Sequence, residues 1–140
     1  MKLVCDTNVL LSALLWGGTP ARILTRIESG LDILYTSRLL LDELAEVLNY
    51  PKITRILESR NLSANDILEV VIANSQIVKA SGTPIRVVPD DPDDDHVIEC
   101  ASVAHADYIL TGDSHLLAVK SWKNITIITA GDYLEKITHT

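Results

Sequence analysis

Phenylalanine is absent from this sequence, and aromatic residues make up only 4% of its 140 positions. Its core must therefore be built mainly from Leu, Ile, Val and Ala. Cysteine is almost as scarce. Cys5 and Cys100 stand alone, neither in a C-x-x-C pair, and read as small buried hydrophobes in a reducing compartment. A disulfide between them is allowed but nothing requires it. No apolar run approaches the ~20 residues that span a bilayer. The N-terminus lacks the basic flank, long apolar stretch and small-residue cleavage site of a signal peptide. A cytoplasmic location without membrane attachment is expected. None of the four histidines falls in an H-E-x-x-H pattern, the helical zinc signature.

Basic residues are outnumbered, twelve against nineteen acids, leaving a net charge of −7 and a pI near 4.9. A passive nucleic-acid binder would carry a basic face, so the balance weighs against one. It weighs much less against a protein that brings cations to its own acids, because bound metal cancels negative charge where a phosphate would approach. Half of the basic side chains (Arg22, Arg26, Arg38, Lys52, Arg55 and Arg60) fall within one third of the chain.

What is present is ordinary globular material, 47% hydrophobic and 22% charged. The length suits one domain over residues 1–140. Residues 3–5 read as a buried strand, and Asp6-Thr7-Asn8 as the cap of a helix over 9–15 ended by Gly17-Gly18. Thr19 caps a second helix with Pro20 at its first position, ending near Gly30. A strand over 31–36, a strongly apolar helix over 37–48 and a partly exposed helix over 51–60 follow. Ser63-x-x-Asp66 predicts a capping box for a helix over 66–74. Residues 77–78 and 85–88 are short β-like runs around a Gly82-Thr83-Pro84 turn. The acidic stretch 90–95 leads into a helix ending near His105. Then come a strand over 108–111, Gly112-Asp113 and a short helix, a strand over 125–129 and a helix over 130–137. Strands alternating with helices over short connections predict an α/β domain with a mainly parallel sheet.

Four acids draw attention on that framework. In open parallel sheets ligands bind outside the carboxyl ends of the strands. Asp6 follows the first strand, Asp113 follows the strand over 108–111, and Asp95 opens the helix before that strand. Glu43 lies at the edge of the apolar stripe of its helix, with Leu39, Leu40 and Val47 within about 60° of it at 100° per residue. An ionised carboxylate there needs a partner. Clustered carboxylates repel unless a cation offsets the repulsion, and oxygen donors favour Mg²⁺ or Mn²⁺ over Zn²⁺. Such an ion can activate water for in-line attack on a phosphodiester. Each acid also has a structural account. Asp6 and Asp113 can serve as helix caps, Glu43 as an ordinary flanking residue, and 90–95 as a solvated loop.

Asp6-Thr7-Asn8-Val9-Leu10 after an apolar strand resembles the opening motif of PIN-domain nucleases. Glu43 in Leu40-Leu41-Asp42-Glu43-Leu44, Asp95 in Asp95-His96-Val97-Ile98-Glu99-Cys100-Ala101 and Asp113 in Tyr108-Ile109-Leu110-Thr111-Gly112-Asp113 match the family's later acids in order, over nearly the whole chain. The resemblance implies a three-layer α/β/α sandwich around a mainly parallel sheet and Mg²⁺- or Mn²⁺-dependent cleavage of RNA. It also implies frequent homodimers and, in the VapC-like toxin branch it looks nearest to, an antitoxin partner. By resemblance Asp6, Asp95 and Asp113 hold metal, Glu43 completes the site or positions the attacking water, and Asn8 and Thr111 support the acidic centre. Asp93 and Asp94 adjoin Asp95. The spacing of 18 positions between Asp95 and Asp113 favours Asp95 as the ligand. Many relatives carry another acid two residues beyond the fourth, where this chain has His115, which bears on a second metal. Arg22, Arg26 and Arg38 are candidate phosphate contacts.

Other readings are a haloacid-dehalogenase-like phosphohydrolase, a Ca²⁺ loop, a flap-type nuclease for structured DNA, and a PIN-like binding module with little turnover. The first needs a second Asp where Asn8 stands. An EF-hand needs Gly and Glu where His96 and Ser102 stand. The flap type needs a substrate-threading arch for which the chain is short. Four intact acids speak against a purely binding role.

Overall fold

The computed structural model describes residues 1–79 and 92–138, with the side chains of 92–94 outside that description. In chain order the elements are β1 (Lys2–Cys5), α1 (Thr7–Leu11) running into a π-turn (Ser12–Trp16), α2 (Gly18–Glu28), β2 (Ile33–Ser37), α3 (Arg38–Leu48), α4 (Pro51–Ser59), α5 (Ala64–Ala73), β3 (Ser75–Val78), α6 (Pro92–Ala104), β4 (Tyr108–Leu110), α7 (Ser114–Val119), β5 (Ser121–Trp122), β6 (Ile125–Ile128) and α8 (Ala130–Thr138). The β-like run at 85–88 and the turn before it lie outside the described residues.

The six strands form one sheet in the order β3-β2-β1-β4-β6-β5. All pairings are parallel except β5 with β6. Alternation along the strands sends side chains to two cores. Leu3, Cys5, Leu34, Tyr108 and Leu110 pack on one face with residues from α1 to α5 and α8. Val4, Ile109, Ile125 and Ile127 pack on the other with Val97, Ile98, Cys100 and Ala101 of α6 and Leu116 of α7. This is the three-layer α/β/α sandwich with a mainly parallel sheet. Cys5 and Cys100 belong to opposite faces and remain free thiols.

Several caps follow the sequence pattern. Ser63 and Asp66 close a reciprocal capping box on α5. Ser37 accepts from Leu40 N–H to start α3. The second helix differs. It begins at Gly18, with Gly17 in place of Thr19 at its cap and no side-chain cap bond. Pro20 is then the third helical residue, still within the first turn, where its missing N–H costs no helical hydrogen bond. Among the described residues no helix is long and apolar enough to cross a membrane.

Candidate active site

Chain order sets where the site lies. From β1 the chain moves outward through β2 to β3, then returns to the other side of β1 as β4. The crevice at the carboxyl ends of β1 and β4 is thus the switch point of the sheet, the usual ligand position in open α/β folds. Cys5 pairs with Leu110 in the β1–β4 register, and Asp6 N–H continues that ladder to Leu110 O at 3.2 Å. Asp6 and Thr111, 105 residues apart, are therefore neighbours.

Thr111 is fully buried and its hydroxyl donates a hydrogen bond to Asp6 Oδ2. The same hydroxyl oxygen accepts from Asp113 N–H at 3.0 Å. Asp6 caps α1, its Oδ1 accepting from Val9 N–H at 2.9 Å. Asp113 caps α7, its Oδ2 accepting from Leu116 N–H at 3.0 Å. The capping account of both acids is thus correct as far as it goes, and it orients both carboxylates at one edge. Burial pushes the Asp6 carboxyl above the usual range. The bonds from Thr111 and Val9 oppose that shift, and the nearby charge of Asp113 adds to it.

Asp95 lies in the first turn of α6 and is 8% exposed. Whether Asp93 or Asp94 shares its role concerns side chains outside the described residues. Glu43, in the second turn of α3, is partly buried as the helical rotation predicts. A described partner is His96, with Nδ1 at 2.8 Å from Glu43 Oε1. Sequence reasoning passed over His96, whose signal was only its place beside Asp95 on the same helix. His115, which stands where many relatives carry a further acid, is 64% exposed at the side chain and 4.0 Å from Asp113.

Two concave surfaces flank the acids. A cleft of about 300 Å³ is lined by Asn8, Ser12, Thr19, Thr111, Gly112, Thr129 and neighbouring residues, so Asn8 opens onto it beside Thr111. A groove of about 190 Å³ is lined by Arg38, Leu39, Ile77, Lys79, His96, Glu99 and others. Exposed Arg38, at the start of α3, therefore borders the same edge as His96. Arg22 is exposed on α2.

Arg26 is a correction. Its Nε donates to Asp32 Oδ2 at 2.8 Å and its Nη2 to Oδ1 at 3.4 Å. Asp32 directly precedes β2, at the amino edge of the sheet, and also accepts from the Tyr133 hydroxyl at 2.7 Å. A four-residue strand spans about 13 Å, so Arg26 serves the end of the sheet opposite the acids. Helical spacing alone put it with Arg22.

The donors at the acidic edge are carboxylate and hydroxyl oxygens, a set suited to a hard divalent cation. Asp6 and Asp113 fit such an ion as a pair, since the cation would relieve the mutual repulsion that helps raise Asp6. Among the described residues, no three His, Cys, Asp or Glu side chains are close enough together to hold one ion.

A three-layer α/β/α sandwich with carboxylates at the switch point of its sheet defines an α/β protein with an acidic, oxygen-donor site. Residues 2–115 match the family profile of the PIN domain, and the chain belongs to the PIN-domain family, a family of nucleases. The fold is also that of a chain in the crystal structure of VapBC2 from Rickettsia felis bound to a DNA fragment from its promoter. The TM-score is 0.61 at 12% identity, covering 91% of this chain and 97% of that one. Comparison with curated protein sequences finds no match.

Proposed function

We propose that the chain is a divalent-metal-dependent endoribonuclease, with Asp6, Asp95 and Asp113 as metal ligands and Glu43 as the fourth carboxylate. The observation that carries this reading is the Thr111-centred arrangement at the switch point, which sets Asp6 and Asp113 side by side despite their repulsion. Mg²⁺ or Mn²⁺ would supply Lewis acidity and a water of lowered pKa. Thr111 orients Asp6 from beneath, and the caps on α1 and α7 hold both carboxylates in one rotamer each. Asn8, at the cleft beside Thr111, would support the acidic centre. Arg38 and Arg22, both exposed, would meet phosphates. The reading extends to an antitoxin partner and a homodimer, by analogy with the VapBC2 complex and by family resemblance respectively.

The test combines Mg²⁺ and Mn²⁺ titrations of thermal stability with cleavage of single-stranded RNA and matched DNA, for wild type and Asp95→Asn. Metal stabilisation and RNA cleavage should both vanish in the variant. A fully active variant removes Asp95 from the site, and cleavage of DNA alone overturns the RNA assignment. A second reading is a PIN-fold binding module with little turnover. Metal-independent stability with no cleavage of either substrate would decide for it.

A further inference from the structure

The contact between His96 and Glu43 joins two layers of structure across 53 residues of sequence. His96 Nδ1 lies 2.8 Å from Glu43 Oε1, and the side chains are 30% and 21% exposed respectively. A glutamate on α3 has three side-chain torsions, and its reach toward the acidic edge depends on all of them. Holding such a side chain in one rotamer costs conformational entropy unless a contact offsets it. The imidazole, with two torsions of its own and a backbone set at the start of the second turn of α6, provides that contact. Asp95 precedes it, and successive helical residues point about 100° apart. Asp95 and His96 therefore leave α6 in different directions, the buried acid in one and the imidazole toward α3 in the other.

We infer that His96 is a positioning residue for Glu43, fixing the place from which that carboxylate serves the acidic edge. The inference rests on the nuclease reading for its consequence in turnover, but the contact itself is testable without metal or substrate. His96→Ala removes the imidazole contact from Glu43, and a displacement on the scale of 1 Å lowers kcat by roughly tenfold to a hundredfold. KM should stay within about twofold, because binding in the ground state is not what the contact supplies. His96→Gln retains an N–H donor and should recover most of kcat. Because His96 acts through Glu43, adding His96→Ala to Glu43→Gln should cause no further loss.

The experiment measures kcat and KM with Mn²⁺ and single-stranded RNA for these single and double variants. Alongside it, NMR of metal-free protein labelled with ¹⁵N-histidine follows the imidazole nitrogens. The His96 ring signals should move in Glu43→Gln while those of the other three histidines stay in place. Unchanged kcat in His96→Ala, or losses that multiply in the double variant, would overturn the positioning role. Unmoved ring signals would overturn the contact. Wild-type protein that cleaves nothing, with His96 signals that still respond to Glu43→Gln, would instead remove the nuclease reading and leave the pair as a structural tie.

Discussion

Asp32→Asn should destabilise the protein by about 2–3 kcal/mol while leaving nuclease activity per folded molecule unchanged. The Asp32 side chain is fully buried and accepts from Arg26 at 2.8 Å and from the Tyr133 hydroxyl at 2.7 Å. Breaking a fully buried pair costs about 3–5 kcal/mol, because the remaining charge keeps its desolvation and loses its partner. Arg26 is 28% exposed at its side chain, so solvent recovers part of that loss and the lower figure applies. An asparagine presents an amide N–H₂ where one of two donors, Arg26 or Tyr133, expects an acceptor, which keeps the loss above that of a surface pair. With an unfolding entropy of about 2.1 cal/mol/K per residue, a chain of 140 residues loses about 7–10 °C of Tm.

The pH dependence has a definite sign. Arg26 and Tyr133 hold the Asp32 carboxyl below its ordinary value of 3.8, against the opposing effect of burial. A depressed folded pKa contributes stability that is present above 3.8 and is lost as pH falls through the folded value. The Tm gap between wild type and Asp32→Asn should therefore be constant near neutrality and narrow below pH 3.8. Thermal melts by circular dichroism across that range, with RNA-binding salt slopes for Arg26→Gln and Arg38→Gln, make the assay. Arg26→Gln should lower Tm and keep the wild-type slope, whereas Arg38→Gln should keep Tm and reduce the slope by about one. A flattened slope in Arg26→Gln would refute the assignment of that residue to the amino edge, and a stability loss under ~1 kcal/mol in Asp32→Asn would refute the buried-pair energetics.

Two further outcomes follow from the acidic edge and from α5. Asp113→Asn keeps an N-cap acceptor for Leu116 N–H and removes the charge that helps raise Asp6, so metal-free Tm should rise while Mn²⁺-dependent stabilisation falls. Since a raised carboxyl contributes stability that is lost as pH rises through its folded value, the gain should be greatest at neutral pH and disappear below about pH 3.8, which melts in EDTA can follow. Ser63→Ala removes one half of the capping box on α5 and should cost about 1 kcal/mol, measured by urea unfolding.

The parts of this protein legible in the sequence are those whose cause is local. Asp6, Ser63 and Asp113 each cap the helix that begins one residue later, and such a bond is written within four residues of chain. β5 was not legible because Ser121–Trp122 is too short to show alternation, and its turn to β6 uses Lys123 and Asn124 at φ 44° and 65° in place of the Asn-Gly pair that marks such hairpins. Arg26 and His96 were misread or missed for a different reason. Helical spacing says which residues share a face, but not which end of the sheet, or which other layer, that face meets. The acidic centre lies between these cases. Asp6 and Asp113 were legible as acids after strands, while their meeting depends on register. If β4 slipped by one residue against β1, Gly112 would stand where Thr111 donates to Asp6, and a glycine has no side-chain hydroxyl to donate. The slip would also turn Tyr108 and Leu110 from one core to the other, as any one-residue shift must in a sheet buried on both faces. The alternation of apolar side chains in two short strands therefore fixes the packing of both cores and the Asp6–Thr111–Asp113 contact together.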